Sequence, residues 1–262
     1  MACRRAASGR CVGGGAMNRG CLAASTARLF LFQGSMNHER LQGLGMAVAI
    51  EPLLRDLEGG PAGKAYHEAI GRAAGFFNTH PYMAGLAVGA VAKAEHAGVP
   101  SQQVDRLRMA LKGPLGSLGD RMIWEGVLPA AAAIGLSLST MTNPFIAVGA
   151  FLLLFNAPHV LLRWWGLRAG WRLGIDVAEA LSHPVLQAGL KISGPMAALA
   201  IGFAIPVVAE WLTTGLDAAA RWGTAAVGLS TAIVTRWLVP TLGAARLGIL
   251  ALAATLVLGW LS

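Results

Sequence analysis

The feature that most limits this chain is a series of apolar stretches in its second half, at residues 122–139, 145–162, 195–212, 223–239 and 244–261, each with at most one charged residue. Each gives roughly 26 Å of helix at 1.5 Å per residue, the short end of what crosses about 30 Å of hydrocarbon. Inside lipid every backbone N–H and C=O must be paired within the protein, which leaves only helices or a closed barrel. Two tyrosines and few alternating apolar runs speak against a barrel. The 262 residues are 55% hydrophobic and only 13% charged, about half the charge of a soluble domain, and mean hydropathy is +0.56. The 34 glycines are costly in a water-soluble helix but let membrane helices approach closely. The fold class that follows is all-α: a polytopic membrane protein with an amphipathic or re-entrant first half and about five C-terminal transmembrane helices.

A formal net charge of +8 raises nucleic acid as a partner. The arginines, however, sit between apolar stretches and form no basic tail, so they read as an orientation signal. Arg106, Arg108, Lys112 and Arg121 precede the first span. Arg163, Arg168, Arg172 and Lys191 against Asp176 and Glu179 mark a positive loop, and Arg236 and Arg246 bracket the last turn. Placing all three clusters in the cytoplasm puts the N-terminal half inside and the C-terminus outside. Cys3, Cys11 and Cys21 lie together near the start and suggest neither a disulfide framework nor a metal site. Residues 1–26 read as disordered or as a misassigned extension, with Met17 as an alternative start.

Residues 27–121 read as amphipathic helices and re-entrant segments on the cytoplasmic side, and 122–262 as the transmembrane part. Leu41, Leu44 and Val48 recur at helical spacing within 26–59, Pro52 kinks or ends that helix, and the glycines of 58–63 break the chain. A second helix is expected over 65–77. Residues 82–92 are apolar but too short to span. Ser101 suits a helix N-cap, with Val104, Leu107 and Leu111 on one buried face.

Four groups of polar residues interrupt apolar surroundings, where polarity is costly. Asn37-His38-Glu39-Arg40-Leu41-Gln42 reads as a solvated helical face. Phe76-Phe77-Asn78-Thr79-His80-Pro81-Tyr82 reads either as a helix stop, since Pro81 disfavours helical geometry in His80, or as unwound backbone facing a polar cavity. Lys112 to Asp120, glycine-rich around one carboxylate, reads as a turn with Asp120 capping the next helix, as a hairpin for sugar hydroxyls, or both. In Phe155-Asn156-Ala157-Pro158-His159, Pro158 frees the carbonyl of Leu154, leaving Asn156 and His159 to satisfy it or a ligand. His80 and His159 alone define no metal site, and no catalytic triad or paired carboxylates are present.

In order, these four groups resemble the IID component of the mannose/fructose/sorbose-family permeases of the bacterial phosphotransferase system. Asn37–Gly45 is similar to that family's first block, with Leu41 where a methionine is usual. Phe76–Gly85 is similar almost letter for letter. Lys112–Asp120 followed by Trp124, and Phe151–Gly174 with Arg163 and Gly166-Leu167, complete the series. The resemblance implies a membrane subunit that pairs with a IIC subunit to translocate a hexose, which a soluble phospho-IIB protein (with IIA) phosphorylates. It implies no cofactor, no phosphorylated residue in this chain, and a higher oligomer of IIC–IID pairs in the bacterial cytoplasmic membrane. Asn78, His80, Lys112, Asp120, Asn156 and His159 are then expected on the sugar path or holding its backbone. Glu39, Arg40 and Gln42 are expected as subunit contacts or helix anchors. Arg121 and Glu125 depart from the family's uncharged pattern; they pair across one helical turn, or Arg121 neutralises Asp120. Their presence motivates an alternative, a regulatory or scaffolding relative that no longer transports sugar.

Overall fold

A computed structural model of the chain describes residues 12–13, 16–220, 222, 223 and 226. The chain divides into two compact units, Met1–Val207 and Val208–Ser262. In the second unit the described residues end a helix and turn at Gly215, φ 93°.

Helix α1 (Arg19–Leu29) begins inside the stretch expected to be disordered. Asn18 caps it, its side-chain oxygen accepting from the Gly20 N–H at 2.8 Å, and buried Leu22 and Leu29 anchor it. Before it, the two-residue strands β1 (Val12–Gly13) and β2 (Ala16–Met17) pair as a hairpin. Cys21 is disulfide-bonded, against the sequence expectation; linear spacing says little about sulfur separation once the chain folds back on itself.

Residues beyond Phe30 do not continue the helix expected over 26–59. Leu41 has φ 48° and exchanges backbone hydrogen bonds with Asn37 at 2.9 and 3.3 Å. The Asn37 side-chain oxygen accepts from the Glu39 and Arg40 N–H groups at 3.1 and 2.8 Å. A short amide that satisfies its own neighbouring backbone competes with helix, and here it wins. The helix resumes as α2 (Gly43–Leu54), with Pro52 in its last turn; Val48, part of the helical spacing in the sequence, is 41% exposed. The expected break follows, with Gly59 and Gly60 at φ 77° and 60°. Helix α3 (Lys64–Ala73) ends short of its expected limit, and α4 (Ala84–His96) occupies the short apolar segment.

Ion pairs join these first four helices. Glu51 on α2 accepts from Arg28 of α1, from Arg55 at 2.7 and 3.0 Å, and from the Tyr66 hydroxyl of α3 at 3.1 Å. Burial pushes the Glu51 carboxyl up, but the hydrogen bonds and charges of Arg55 and Arg28 outweigh it and hold it below the usual range. Arg72 of α3 grips Glu95 of α4 with two bonds of 3.0 and 2.7 Å. The His96 ring nitrogen lies 2.7 Å from the Leu53 carbonyl of α2.

Helix α5 (Ser101–Gly119) runs through a π-helical segment (Asp120–Val127) into α6 (Leu128–Met141) without a break. The turn expected at 112–120, with Asp120 as an N-cap, is therefore helix. Its glycines and Pro114 do not break it because Leu111, Leu115 and Gly119 recur on one buried face. Asn143 caps α7 (Pro144–Leu173), accepting from the Phe145 N–H at 2.8 Å. This helix carries on past 162, so Arg163, Arg168 and Arg172 lie on helix and not in a loop. After α8 (Ala178–Leu181) comes α9 (Pro184–Leu212), which starts earlier than the apolar pattern suggested.

Three segments among the described residues, Ser101–Met141, Pro144–Asp176 and Ala178–Leu212, are long and apolar enough to cross a membrane. They contain the first three expected spans. The stretch 223–239, beyond its first residues, and 244–261 lie outside the described residues, as do Arg236 and Arg246. Helix α4, about 20 Å long, is buried against α7 through paired small residues. A Cβ on Gly85 or Gly89 would stand 2.5 Å from the Arg163 carbonyl oxygen or 2.3 Å from that of Leu167. One on Gly170 would stand 2.2 Å from the Leu86 carbonyl oxygen. Gly85/Gly89 and Gly166/Gly170 thus form a small-xxx-small crossing in which the two backbones touch.

Candidate functional site

Between α3 and α4, residues 77–80 are neither helix nor turn, in keeping with the effect of Pro81, and are held from two sides. The Gln42 N–H donates to the Phe77 carbonyl at 2.8 Å, and the Phe77 N–H to the Arg40 carbonyl at 3.2 Å. Gln42, 2% exposed, accepts from the Thr79 N–H at 2.8 Å. From α5, buried Arg108 donates to the Phe76 carbonyl at 3.1 Å and to Asp105 at 3.2 Å. The first polar block is therefore a bracket for the second. In it Gln42 is a buried anchor, while Glu39 and Arg40 are exposed.

The bracket delivers Thr79, His80 and Tyr82 to the helices that follow. His80, 3% exposed, lies directly on Gly119: a Cβ there would fall 2.2 Å from the imidazole. Its ring is 5.4 Å from that of Trp124 and 5.1 Å from that of Tyr82. Tyr82 stacks on His159 of α7, with centroids 3.9 Å apart; Phe155 stands 6.0 Å from Tyr82 and 6.5 Å from Trp124. Below them Arg163, 3% exposed, donates to the Leu29 carbonyl at the end of α1. Its guanidinium sits 4.9 Å from the Phe30 ring and 6.0 Å from the Tyr82 ring.

Thr79 Oγ1, His80 Nε2, Tyr82 Oη, His159 Nε2 and Arg163 Nε are buried without a hydrogen-bond partner. One orphaned group costs about 1–3 kcal/mol, so five in one cluster call for an explanation, and a polar ligand supplies one. His80 Nδ1 accepts from the Tyr82 N–H at 3.3 Å, which puts the proton of a neutral ring on the unpartnered Nε2. Burial pushes the His80 imidazole down to about 4, opposed by Asp120 and reinforced by Arg163. At neutral pH the His80 imidazole is therefore uncharged, and the hydroxyl and imidazole groups of the site lie among aromatic rings with the Arg163 guanidinium beside them.

Of the residues singled out in the sequence, His80 and His159 converge here, joined by Tyr82. Asp120 is exposed at the start of the π segment, one residue from the Gly119 contact. Asn78 is exposed, and Lys112 lies with Nζ 4.5 Å from the Phe76 ring. Asn156 is exposed and bonds the Leu152 carbonyl at 2.8 Å, not that of Leu154; an amide on a helix reaches back one turn to its own i−4 carbonyl. Arg121 and Glu125 form no ion pair with each other or with Asp120 among the described residues. In π geometry, where i bonds i+5, residues four apart are no longer aligned as on an α-helix. Sequence reasoning missed Tyr82, Thr79 and Arg163 as site residues. Tyr82, one of two tyrosines, adjoining the His-Pro pair, was the available signal.

A separate cavity of about 460 Å³ lies among Met122, Ile123, Trp165, Leu186, Ser193 and Met196. Its walls are apolar, and the Ser193 hydroxyl already donates to the Leu190 carbonyl at 3.2 Å, so it offers little to a polyol.

Residues 17–261 match the sequence profile of the PTS system mannose/fructose/sorbose family IID component. The chain is 30% identical over 202 residues to the sorbose-specific EIID component of Klebsiella pneumoniae, covering 75% of this chain and 72% of the relative. It is 33% identical over 164 residues to the mannose-specific EIID component of Escherichia coli K12, covering 60% of this chain and 56% of that relative. A solved membrane-protein structure superimposes with a TM-score of 0.63 at 27% identity, over 71% of this chain and 69% of that one. The ordered motifs, the membrane helices and these matches agree: the chain belongs to the IID components of the mannose/fructose/sorbose family of the phosphotransferase system.

Proposed function

We propose that this chain pairs with a IIC subunit in the bacterial cytoplasmic membrane to translocate a hexose that a soluble phospho-IIB protein, charged through IIA, then phosphorylates. The cluster of orphaned polar atoms at Thr79, His80, Tyr82 and His159 carries this reading. Its hydroxyl and imidazole groups are aromatic-walled and set beside membrane-spanning helices, which suits sugar hydroxyls, and the Arg163 guanidinium next to them is engaged by the Leu29 carbonyl. The sugars named for its relatives, sorbose and mannose, belong to that class. His80 and His159 meet the sugar or hold its path open. Asp120, at the mouth of the π segment, accepts from a hydroxyl; Asn78, Lys112 and Asn156 form the rim. The phosphoryl donor is the soluble partner, so this chain positions the acceptor hydroxyl and supplies no nucleophile.

In this reading residues 27–121 lie toward the cytoplasm and five spans leave the C-terminus outside, an orientation supported by the basic residues flanking the apolar stretches in the sequence. Several IIC–IID pairs make up the permease, with Glu39 and Arg40 at the subunit contact.

The test is uptake of radiolabelled mannose and fructose in cells co-expressing this chain, its IIC partner and the soluble components. Accumulation of sugar phosphate, lost in Asp120→Asn and His80→Gln at unchanged membrane levels, is expected. A stable IIC–IID complex without uptake of any hexose of the family would favour a regulatory role instead.

A further inference from the structure

The faces of α1 and α7 form a second groove, which adjoins the polar cluster at Phe30. Arg19, Ala23, Ala27 and Phe30 share one exposed side of α1, and Leu161, Trp164, Arg168 and Arg172 one exposed side of α7. The helices are antiparallel here: Leu22 lies near Arg172 and Arg168, and Phe30 near His159. Between them run two adjoining pockets of about 510 and 420 Å³ that share Leu22, Trp164 and Arg168. The groove is polarised along its length. Arg19, Arg168 and Arg172 mark one end, and none of them has a carboxylate within ion-pair distance among the described residues. Ala23, Ala27 and Phe30 mark the other, beside the lipid-length apolar run of α7. Arg19 and Ala27 are eight residues apart, about 12 Å of helix. The Arg168 guanidinium rests 4.3 Å from the Trp164 ring, which fixes its fork at the depth where tryptophan marks a membrane interface.

From this polarity we infer that the α1–α7 groove binds an anionic phospholipid, its phosphate held by Arg168 and Arg172 with Arg19 above, and an acyl chain laid along Ala23, Ala27 and Phe30. A neutral solute would leave three cations uncompensated, and a free anion would leave the apolar half of the groove empty. A lipid satisfies both ends, and its bidentate arginine–phosphate contacts are the strong kind. Because Arg163 bonds the last turn of α1 to α7, the lipid would also seal the seam that holds α1 in place.

The test is native mass spectrometry of the full chain, alone and with its co-expressed membrane partner, in neutral detergent. The probes are phosphatidylglycerol and phosphatidylcholine of equal chain length and inorganic phosphate. The expected result is preferential, saturable phosphatidylglycerol binding that persists in the complex. Arg168→Gln with Arg172→Gln should weaken it about tenfold or more, an amount equivalent to about 1.4 kcal/mol; Arg106→Gln, an exposed arginine on α5, should not. Ala27→Trp, which fills the apolar end without altering charge, should weaken it as well. Equal binding of both lipids, or equal effects of the double variant and Arg106→Gln, would overturn the proposal. Competition by inorganic phosphate would identify a free-anion site, and loss of lipid in the complex would assign the groove to the protein partner; either also overturns it.

Discussion

Tyr82 and His159 stack face to face, their rings 3.9 Å apart and 5° from parallel, yet neither the Tyr82 hydroxyl nor His159 Nε2 has a hydrogen-bond partner. The contact joins the loop after Pro81 to the middle of a membrane helix. Its apolar faces are satisfied and its polar edges are not, which separates stability from function at one pair of residues.

Tyr82→Phe keeps the stack and removes one orphaned hydroxyl. Thermal stability in detergent should stay level or rise by about 1 kcal/mol, since an unpaired buried group is lost with nothing broken. Uptake should fall: one lost sugar hydrogen bond of about 1.4 kcal/mol raises the half-saturating concentration about tenfold. Unchanged uptake kinetics would remove Tyr82 from the sugar path.

Gly170→Val tests the crossing of α4 and α7. The new Cβ would stand 2.2 Å from the Leu86 carbonyl oxygen and 2.9 Å from the Ala90 nitrogen, both backbone atoms that cannot turn aside. A cost above about 3 kcal/mol is expected, a large share of a typical fold's stability, visible as loss of the protein from membranes. Gly113→Ala, with nothing within 4 Å of the added methyl, should gain up to about 1 kcal/mol from helix propensity. Wild-type accumulation and melting of Gly170→Val would mean that the two backbones do not touch.

The His80 imidazole, lowered from 6.5 to about 4 by burial, sets a pH dependence. Between those values the unfolded chain binds a proton that the folded site refuses, so stability is fully present above about 6.5 and declines as pH falls toward 4. At 1.36 kcal/mol per unit the loss is at most about 3 kcal/mol. His80→Gln should flatten the melting temperature of detergent-solubilised protein between pH 7 and 4.5 relative to wild type. Parallel curves for the two proteins would show that His80 carries no such penalty.

The membrane class was legible because lipid imposes a length and a polarity that composition alone reveals. The broken backbone at Asn78–His80 was legible too, because Pro81 acts on its immediate neighbour. Leu41 was not: its helical spacing was genuine, but the Asn37 amide captures the local N–H groups and turns the chain there. Asp120 was misread for the opposite reason. Glycines and Pro114 signal a break, and only burial of Leu111, Leu115 and Gly119 on one face keeps the helix running. The meeting of His80 with His159 depends on where α4 crosses α7. The glycines announce that some crossing exists, but not which helices make it. Arg163 looked like a loop charge because the apolar run ends just before it, whereas the helix continues and buries it.

Gln42 tests whether the first motif acts as scaffold or as a subunit contact. Its side-chain oxygen accepts from the Thr79 N–H at 2.8 Å in a buried setting, and its own N–H donates to the Phe77 carbonyl. Gln42→Ala keeps the backbone bond but strands the Thr79 N–H, at a cost of about 1–3 kcal/mol. Because Thr79 immediately precedes His80, the loss should also loosen the imidazole on Gly119. Gln42→Ala should therefore lower both melting temperature and uptake while still co-purifying with the IIC partner. Glu39→Gln and Arg40→Gln, on exposed side chains of the same turn, should leave melting unchanged and weaken only co-purification. If Gln42→Ala instead loses the partner at unchanged melting temperature, the block is a docking surface throughout and the bracket around His80 is held by the backbone alone.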